Sequence, residues 1–376
     1  MKILQAIKLS SSNFEFTSDK IDLKNPLVLV FGNRYMLQEE KLFKEVRKMF
    51  PDGHLVFGST AGEIMGENVL NGTVVLTAIE FEKGHFLVKS KNVSEFDHND
   101  VALGKSITKE FPNDQLKHIF VVSEGSTVNG SDLIAGLEQG GDGSIGISGG
   151  LCGDDDRFEV TLSSYNQPPK EGEVVGIGFY GNSLEISCAN FGGWTPFGPE
   201  RLITKSRKNI LFELDGKPAL ELYKKYLGDK ARELPKSALL YPLSVRTNEG
   251  EAIVRTILNI DEERNAMILA GDVPEGSKVQ LMMATVDDIA NGARSAAKLA
   301  VQGRKTASQL AILVSCVGRK LVMDQRTEEE IEEVTHVVGD TVPIAGFYSY
   351  GEMAPFAGRN SCKLHNQTMT LTLFSE

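Results

Sequence analysis

The hydrophobic pattern falls into blocks. LVLVFG at 27–32 and LAILVS at 310–315 are continuous apolar runs, the signature of short buried strands. After each comes a stretch of helical period. Leu42, Phe43, Val46 and Phe50 mark the first. Ile331, Val334 and Val338 mark the second, behind Thr327-x-x-Glu330, which reads as a capping box. A second apolar run then enters a turn in which hydroxyl residues precede Gly-Glu: VFGSTAGEI at 56–64 and AGFYSYGEM at 345–353. NGTVVLTAIEF at 71–81 and NQTMTLTLF at 366–374 close the two blocks. In the latter, Thr368, Thr370 and Thr372 alternate with Met369, Leu371 and Leu373, which predicts a half-buried strand. Four elements in the same order make a repeated unit.

A fainter third copy lies between them. HIFVVSEGS (118–126) reads as strand and glycine turn, and 131–141 as a helix with Gly140 as C-cap. GDGSIGISGGLCGDDD (141–156) reads as the second run and turn, and FEVTLSSY (158–165) as the closing strand. The acidic turn members are Glu63, Asp154 or Asp155, and Glu352. Residues 171–190 read as a hairpin of two apolar strands. LDGKPALELYKKYLG (214–228) starts a helix, with Pro218 at its first turn and Gly228 at its end. EAIVRTILNI and AMILAGDVPEG read as strands, and 286–302 as a helix rich in small residues. The expected fold is α/β, with two pseudo-symmetric domains, 1–215 and 216–376, built from repeated strand–helix–strand units with mixed sheets.

Motifs for catalysis or metal binding do not survive their context. GIGFYG at 176–181 satisfies G-x-G-x-x-G, but a strand pattern follows instead of a helix, so a turn at Gly181-Asn182 is the better reading. GISGG at 146–150 offers Ser148 in G-x-S-x-G without the strand–turn–helix elbow. Backbone positions needing positive φ explain its glycines better. Asp154-Asp155-Asp156 lacks the alternate spacing of a calcium loop. Cys152, Cys188, Cys316 and Cys362 are scattered, without zinc spacing, which points to free thiols and a cytoplasmic protein.

Composition adds little. The 376 residues carry a formal charge of −11, which disfavours nucleic acid and anionic membrane surfaces as partners. No apolar run reaches membrane-spanning length. The remaining chemistry is in the turns. A carboxylate after glycine at the end of a buried strand lies where α/β sheets place ligands. Ser59, Thr60, Gly62 and Glu63 form one such turn, and Ser349, Tyr350, Gly351 and Glu352 the other. Arg34, Cys316 and Arg319 sit in the turns after the first strands. Arg319 is expected to pair with a ligand carboxylate while Glu63 or Glu352 meets an amine.

FGSTAGEI, ISGGLCGDD, GGWTPFGPE, LDGKPALELYKKYLG and GFYSYGEMAP followed by LHNQTMTLTL resemble the FIST family of signal-transduction sensor domains, over nearly the whole chain. The resemblance implies a non-enzymatic intracellular sensor of a small ligand. No output domain is legible, so the partner would be separate, such as a histidine kinase or a cyclic-di-GMP enzyme. The alternative it implies is a haem-binding nitric oxide sensor, with His365 as the candidate ligand. A protein-interaction scaffold is a further alternative.

Overall fold

The computed structural model describes residues 1–10, 12–18, 20–246, 252–356 and 361–376. Glu251, where the 251–260 strand reading begins, lies outside them. Three sheets repeat one pattern. In the first, Leu27–Gly32 pairs in parallel with His54–Ser59 and antiparallel with Val74–Glu80, which pairs in turn with Lys2–Lys8. In the second, Leu116–Ser123 takes the same neighbours: Gly146–Leu151, then Glu173–Tyr180 and His85–Asn92. In the third, Leu310–Cys316 sits between Ile344–Ser349 and Met369–Ser375, with Glu185–Phe191 beyond.

The alternation along each central strand explains its unbroken apolar run. Leu27, Leu29 and Phe31 join Phe120, Val122, Ile312 and Val314 in one core shared by the three sheets. The intervening residues face helices of their own copy. Val28 and Val30 meet helix Glu40–Met49, Ile119 and Val121 meet helices Asp100–Lys109 and Gly130–Gly140, and Leu313 meets helices Val286–Val301 and Glu329–Val338. A strand covered on both faces has no solvated side to mark with polar residues. Ring contacts tie the sheets together at Phe31–Phe347 (4.6 Å) and Phe179–Phe374 (4.9 Å).

The copies also exchange strands. Glu63–Met65 of the first pairs with Ile344–Ser349 of the third. Gly351–Pro355 of the third pairs with Gly146–Leu151 of the second. Ser163–Tyr165 of the second pairs with His54–Ser59 of the first. Each acidic turn therefore leads its strand onto a neighbouring sheet.

Four local readings change. The second copy closes with Glu173–Tyr180, and only 163–165 of the 158–165 stretch is strand, serving as the exchanged segment. Residues 171–190 hold two strands that do not pair with each other, because Glu173–Tyr180 and Glu185–Phe191 belong to different sheets. Met369–Ser375 is buried on both faces, since its threonine side meets another sheet: Thr372 Oγ1 lies 2.7 Å from Ser148 Oγ. Thr327 and Glu330 form no capping box; Glu330 turns inward to Arg319, and the Thr327 hydroxyl donates to the Asp324 carbonyl instead.

Residues 195–283 form an eight-stranded antiparallel sheet inserted between strand Glu185–Phe191 and helix Val286–Val301 of the third copy. Its long strand, Thr195–Arg207, pairs with Lys278–Met283 through its first half and Ile210–Leu214 through its second. Helix Ala219–Leu227 covers it, starting after Pro218 and ending at Gly228, whose φ is +57°. Residue 215 lies inside this sheet.

Candidate functional site

The acidic turns meet, but as an interlock of backbones. The Gly153 N–H donates to the Ser59 carbonyl at 2.9 Å, and the Asp155 N–H to that of Thr60 at 3.2 Å. The Ala61 N–H donates to the Tyr348 carbonyl at 2.8 Å, and the Tyr350 N–H to that of Leu151 at 3.1 Å. Strand exchange forces this, because each turn must cross from one sheet to the next.

Their carboxylates point apart, each to its own cage. Glu63 accepts from Thr60 Oγ1 at 2.5 Å and from Thr73 Oγ1 and N–H at 2.7 and 3.3 Å. Glu352 accepts from Ser349 Oγ at 2.8 Å and from Thr368 Oγ1 and N–H at 2.9 and 3.1 Å. Thr73 and Thr368 hold matching places before the closing strands, so each glutamate staples its turn to the third strand of its own copy. Both are buried, which pushes Glu63 up to about 7 and Glu352 up to about 8 despite the hydroxyl donors. The ligand amine expected to meet Glu63 or Glu352 would have to displace these hydroxyl and backbone donors. Gly62 serves the same turn: its φ is +140°, and a Cβ there would stand 2.6 Å from Lys320 Nζ.

In the second copy Asp154 holds the corresponding position, fully buried between Arg34 (3.3 Å) and Arg157 (2.9 Å). Asp155 binds Arg157 at 2.6 Å and Asn33 Nδ2 at 3.3 Å. The Tyr35 ring lies under both guanidinium groups. Ser59 Oγ accepts from the Leu162 N–H at 2.8 Å. Tyr350 stacks on Phe158 at 4.4 Å, and its hydroxyl accepts the Phe158 N–H. Gly351 packs on Leu364. Cys316 is a buried thiol whose pKa burial raises. Arg319 is fully buried and fully engaged. It pairs with Glu330 at 2.6 Å and donates to the carbonyls of Gly192 (2.6 Å) and Ile289 (2.8 Å). No donor remains for a ligand, which corrects the carboxylate-binding role expected of it.

Lys320, which sequence reasoning passed over, bridges the copies. Its ammonium donates to the Ala61 carbonyl at 2.5 Å and to Asn71. Burial lowers its pKa, against the pull of Asp155 and Glu63. Nothing in its sequence context sets it apart from a surface lysine of a short helix.

Ser148 does have a histidine partner: His118 Nε2 lies 2.7 Å from its Oγ. Both are buried between sheets, burial lowers the histidine to about 3, and Gly149 beside them takes φ +143°. The pair is a sealed polar bridge without an opening to a substrate.

A pocket of about 300 Å³ is lined by Ala61, Asp155, Arg157 and Lys320 at the turns, and wider open space lies between the inserted sheet and the three-copy body. A cleft of about 600 Å³ is walled by Phe191, Trp194, Phe356 and Leu299, with His365 and Cys188 deeper in it. Phe191 is 45% exposed although aromatic. Trp194 is fixed by its Nε1–H, which donates to the Gln367 carbonyl at 3.0 Å. His365 is buried, pushed down to about 4, and held 3.2 Å from the Ala354 carbonyl through Nε2. Cys188 is pushed up to about 12 by burial, so its thiol stays protonated. With Nε2–H given to the Ala354 carbonyl, Nδ1 is the ring nitrogen left with a lone pair for an iron, while Cys188 offers only a protonated thiol. Among the described residues no three His, Cys, Asp or Glu side chains group as a metal site. No helix among the described residues is long and apolar enough to cross a membrane.

The model of the FIST N domain matches residues 26–217, and that of the FIST C domain matches residues 219–355. An uncharacterized protein of Methanocaldococcus jannaschii is 23% identical over 329 residues, covering 80% of this chain and 62% of that protein. An uncharacterized protein of Mycobacterium tuberculosis is 28% identical over 196 residues, covering 48% of this chain and 49% of that protein. The chain thus spans less than two thirds of the first and about half of the second. Matched over most of its length in the order N then C, the chain belongs to the FIST family, whose domains are signal-transduction sensor domains.

Proposed function

We propose that this chain is a non-enzymatic, cytoplasmic sensor that binds a small organic ligand in the cleft beside Trp194. It passes the signal to a separate partner, such as a histidine kinase or a cyclic-di-GMP enzyme. One observation carries the reading. The 600 Å³ cleft exposes aromatic side chains at the junction of two bodies, while the turn carboxylates are taken up by threonine hydroxyls of their own copies. Apolar walls with a few polar groups suit a small molecule, and a ligand that touches both bodies biases their relative position. Against catalysis stand the sealed Ser148–His118 pair and the caged carboxylates, neither of which reaches the cleft. The charge of −11 supports a protein or small-molecule partner over nucleic acid.

The test is a thermal-shift screen of small metabolites, repeated on Phe191→Asp. Phe191 is half exposed, so the variant should fold, and hits from this cleft should lose their stabilisation. Hits that stabilise the variant as they do the parent would place the ligand elsewhere.

A further inference from the structure

Strand Ala252–Arg255 is an edge of the inserted sheet, and Cys362–His365 is an edge of the second-copy sheet. Where these edges face each other a pocket of about 320 Å³ opens, floored by helix Gly130–Gly140. It shares only Ile253 with the Trp194 cleft. Arg255 lines it and is only 6% exposed. Its Nη1 donates to the Leu364 carbonyl at 2.7 Å and its Nε to the Asp272 carbonyl at 3.2 Å. Asp272 thus offers its backbone; no carboxylate among the described residues lies within 4 Å of the guanidinium. The Asp272 carboxylate acts on this guanidinium only from beyond ion-pair distance, whereas Arg319 pairs directly with Glu330, the usual solution for a buried charge. A second lining group is also unsatisfied: Asp272 Oδ1 is buried without a hydrogen-bond partner. The lining holds two cations without an ion-pair partner among the described residues, Arg255 and Lys363, and one acceptor, Asp272 Oδ1, lacking a donor.

We propose that this pocket binds a small monocarboxylate bearing a hydroxyl or ammonium group. Arg255 takes the carboxylate through its remaining donors, and Asp272 accepts from the second group. Glu138 and Asp272 in the lining balance Arg255 and Lys363, so the pocket has no net positive charge to hold a multiply charged anion, and phosphate is disfavoured. The site stands independently of the ligand proposed beside Trp194.

Thermal unfolding of the full chain tests this with glycolate, acetate and inorganic phosphate, titrated against chloride at constant ionic strength. Glycolate should raise the midpoint saturably in the millimolar range, acetate less, and phosphate not at all. Arg255→Met, which takes a donor from the Leu364 and Asp272 carbonyls, should unfold somewhat below the wild-type temperature without ligand and should not respond to glycolate. Should that variant fail to fold, Arg255→Lys serves in its place and should weaken the glycolate response about tenfold by losing the guanidinium fork. An indifferent wild type, a glycolate response surviving in Arg255→Met, or stronger protection by phosphate would overturn the proposal. Loss of Phe191-dependent hits with this response intact would count against the Trp194 cleft alone.

Discussion

Glu63 and Glu352 each sit among three donors with no cation in ion-pair reach among the described residues, and the balance tips toward the protonated acid. The folded chain keeps these protons where the unfolded chain, near 4.5, has lost them. It therefore binds more protons between 4.5 and about 8, and stability should fall as pH rises through that window and level off above it. The slope is at most about 1.4 kcal/mol per pH unit per group. Glu352→Gln, which can accept from Thr368 and donate to Ser349, should flatten the fall; denaturant midpoints across that range read it. A fall unchanged in the variant would mean that other groups cause it. Arg319 gives the opposite case. Arg319→Ala would strand Glu330, which Ser315 and Tyr348 also contact, in a dry interior. A loss of about 3–5 kcal/mol is expected in denaturant unfolding. A loss below about 1 kcal/mol would show that water reaches Glu330.

At the scale of elements, the two-faced burial of the central strands sets what could be read in the sequence. Val28–Phe31 and Ile312–Val314 were legible as strands because both faces are apolar, and the helices were legible from their one-sided stripes. Polar threonines misled, since the Thr370 and Thr372 face is buried against another sheet while looking like a wet one. The second copy's true closing strand was missed because an exchanged segment of similar alternation, 163–165, precedes it. Of the site, the turns were found, and their joining was not, because strand exchange is a long-range choice that local pattern does not encode. Arg255 and Lys320 carried no signal at all, as neither lies in a motif. The parallel pairing of Leu116–Ser123 with Gly146–Leu151 depends on Gly149, where a Cβ would stand 2.0 Å from the Val121 carbonyl at φ +143°. Gly149→Ala should lower stability by more than the roughly 1 kcal/mol of an ordinary glycine change. Amide exchange should speed in both strands; a change confined to Gly149 itself would contradict the pairing argument.

For the whole molecule, strand exchange makes the copies interdependent. The second-copy sheet ends in Gly351–Pro355 and Cys362–His365, and the first copy lends Glu63–Met65 to the third. A fragment of residues 1–215 leaves sheet edges and the shared core open. It should aggregate or remain unfolded alone, and assemble with 216–376 when the two are produced together. Cooperative unfolding of the isolated fragment would refute this. The wider of the two junctions described above is the cleft beside Trp194, the only tryptophan in the chain. Its emission is the most direct reporter of the proposed sensor function. Titrating a stabilising ligand from the thermal screen should shift or quench that emission saturably, with the affinity seen in the thermal data. Stabilisation that leaves the Trp194 spectrum unchanged would contradict a ligand in this cleft.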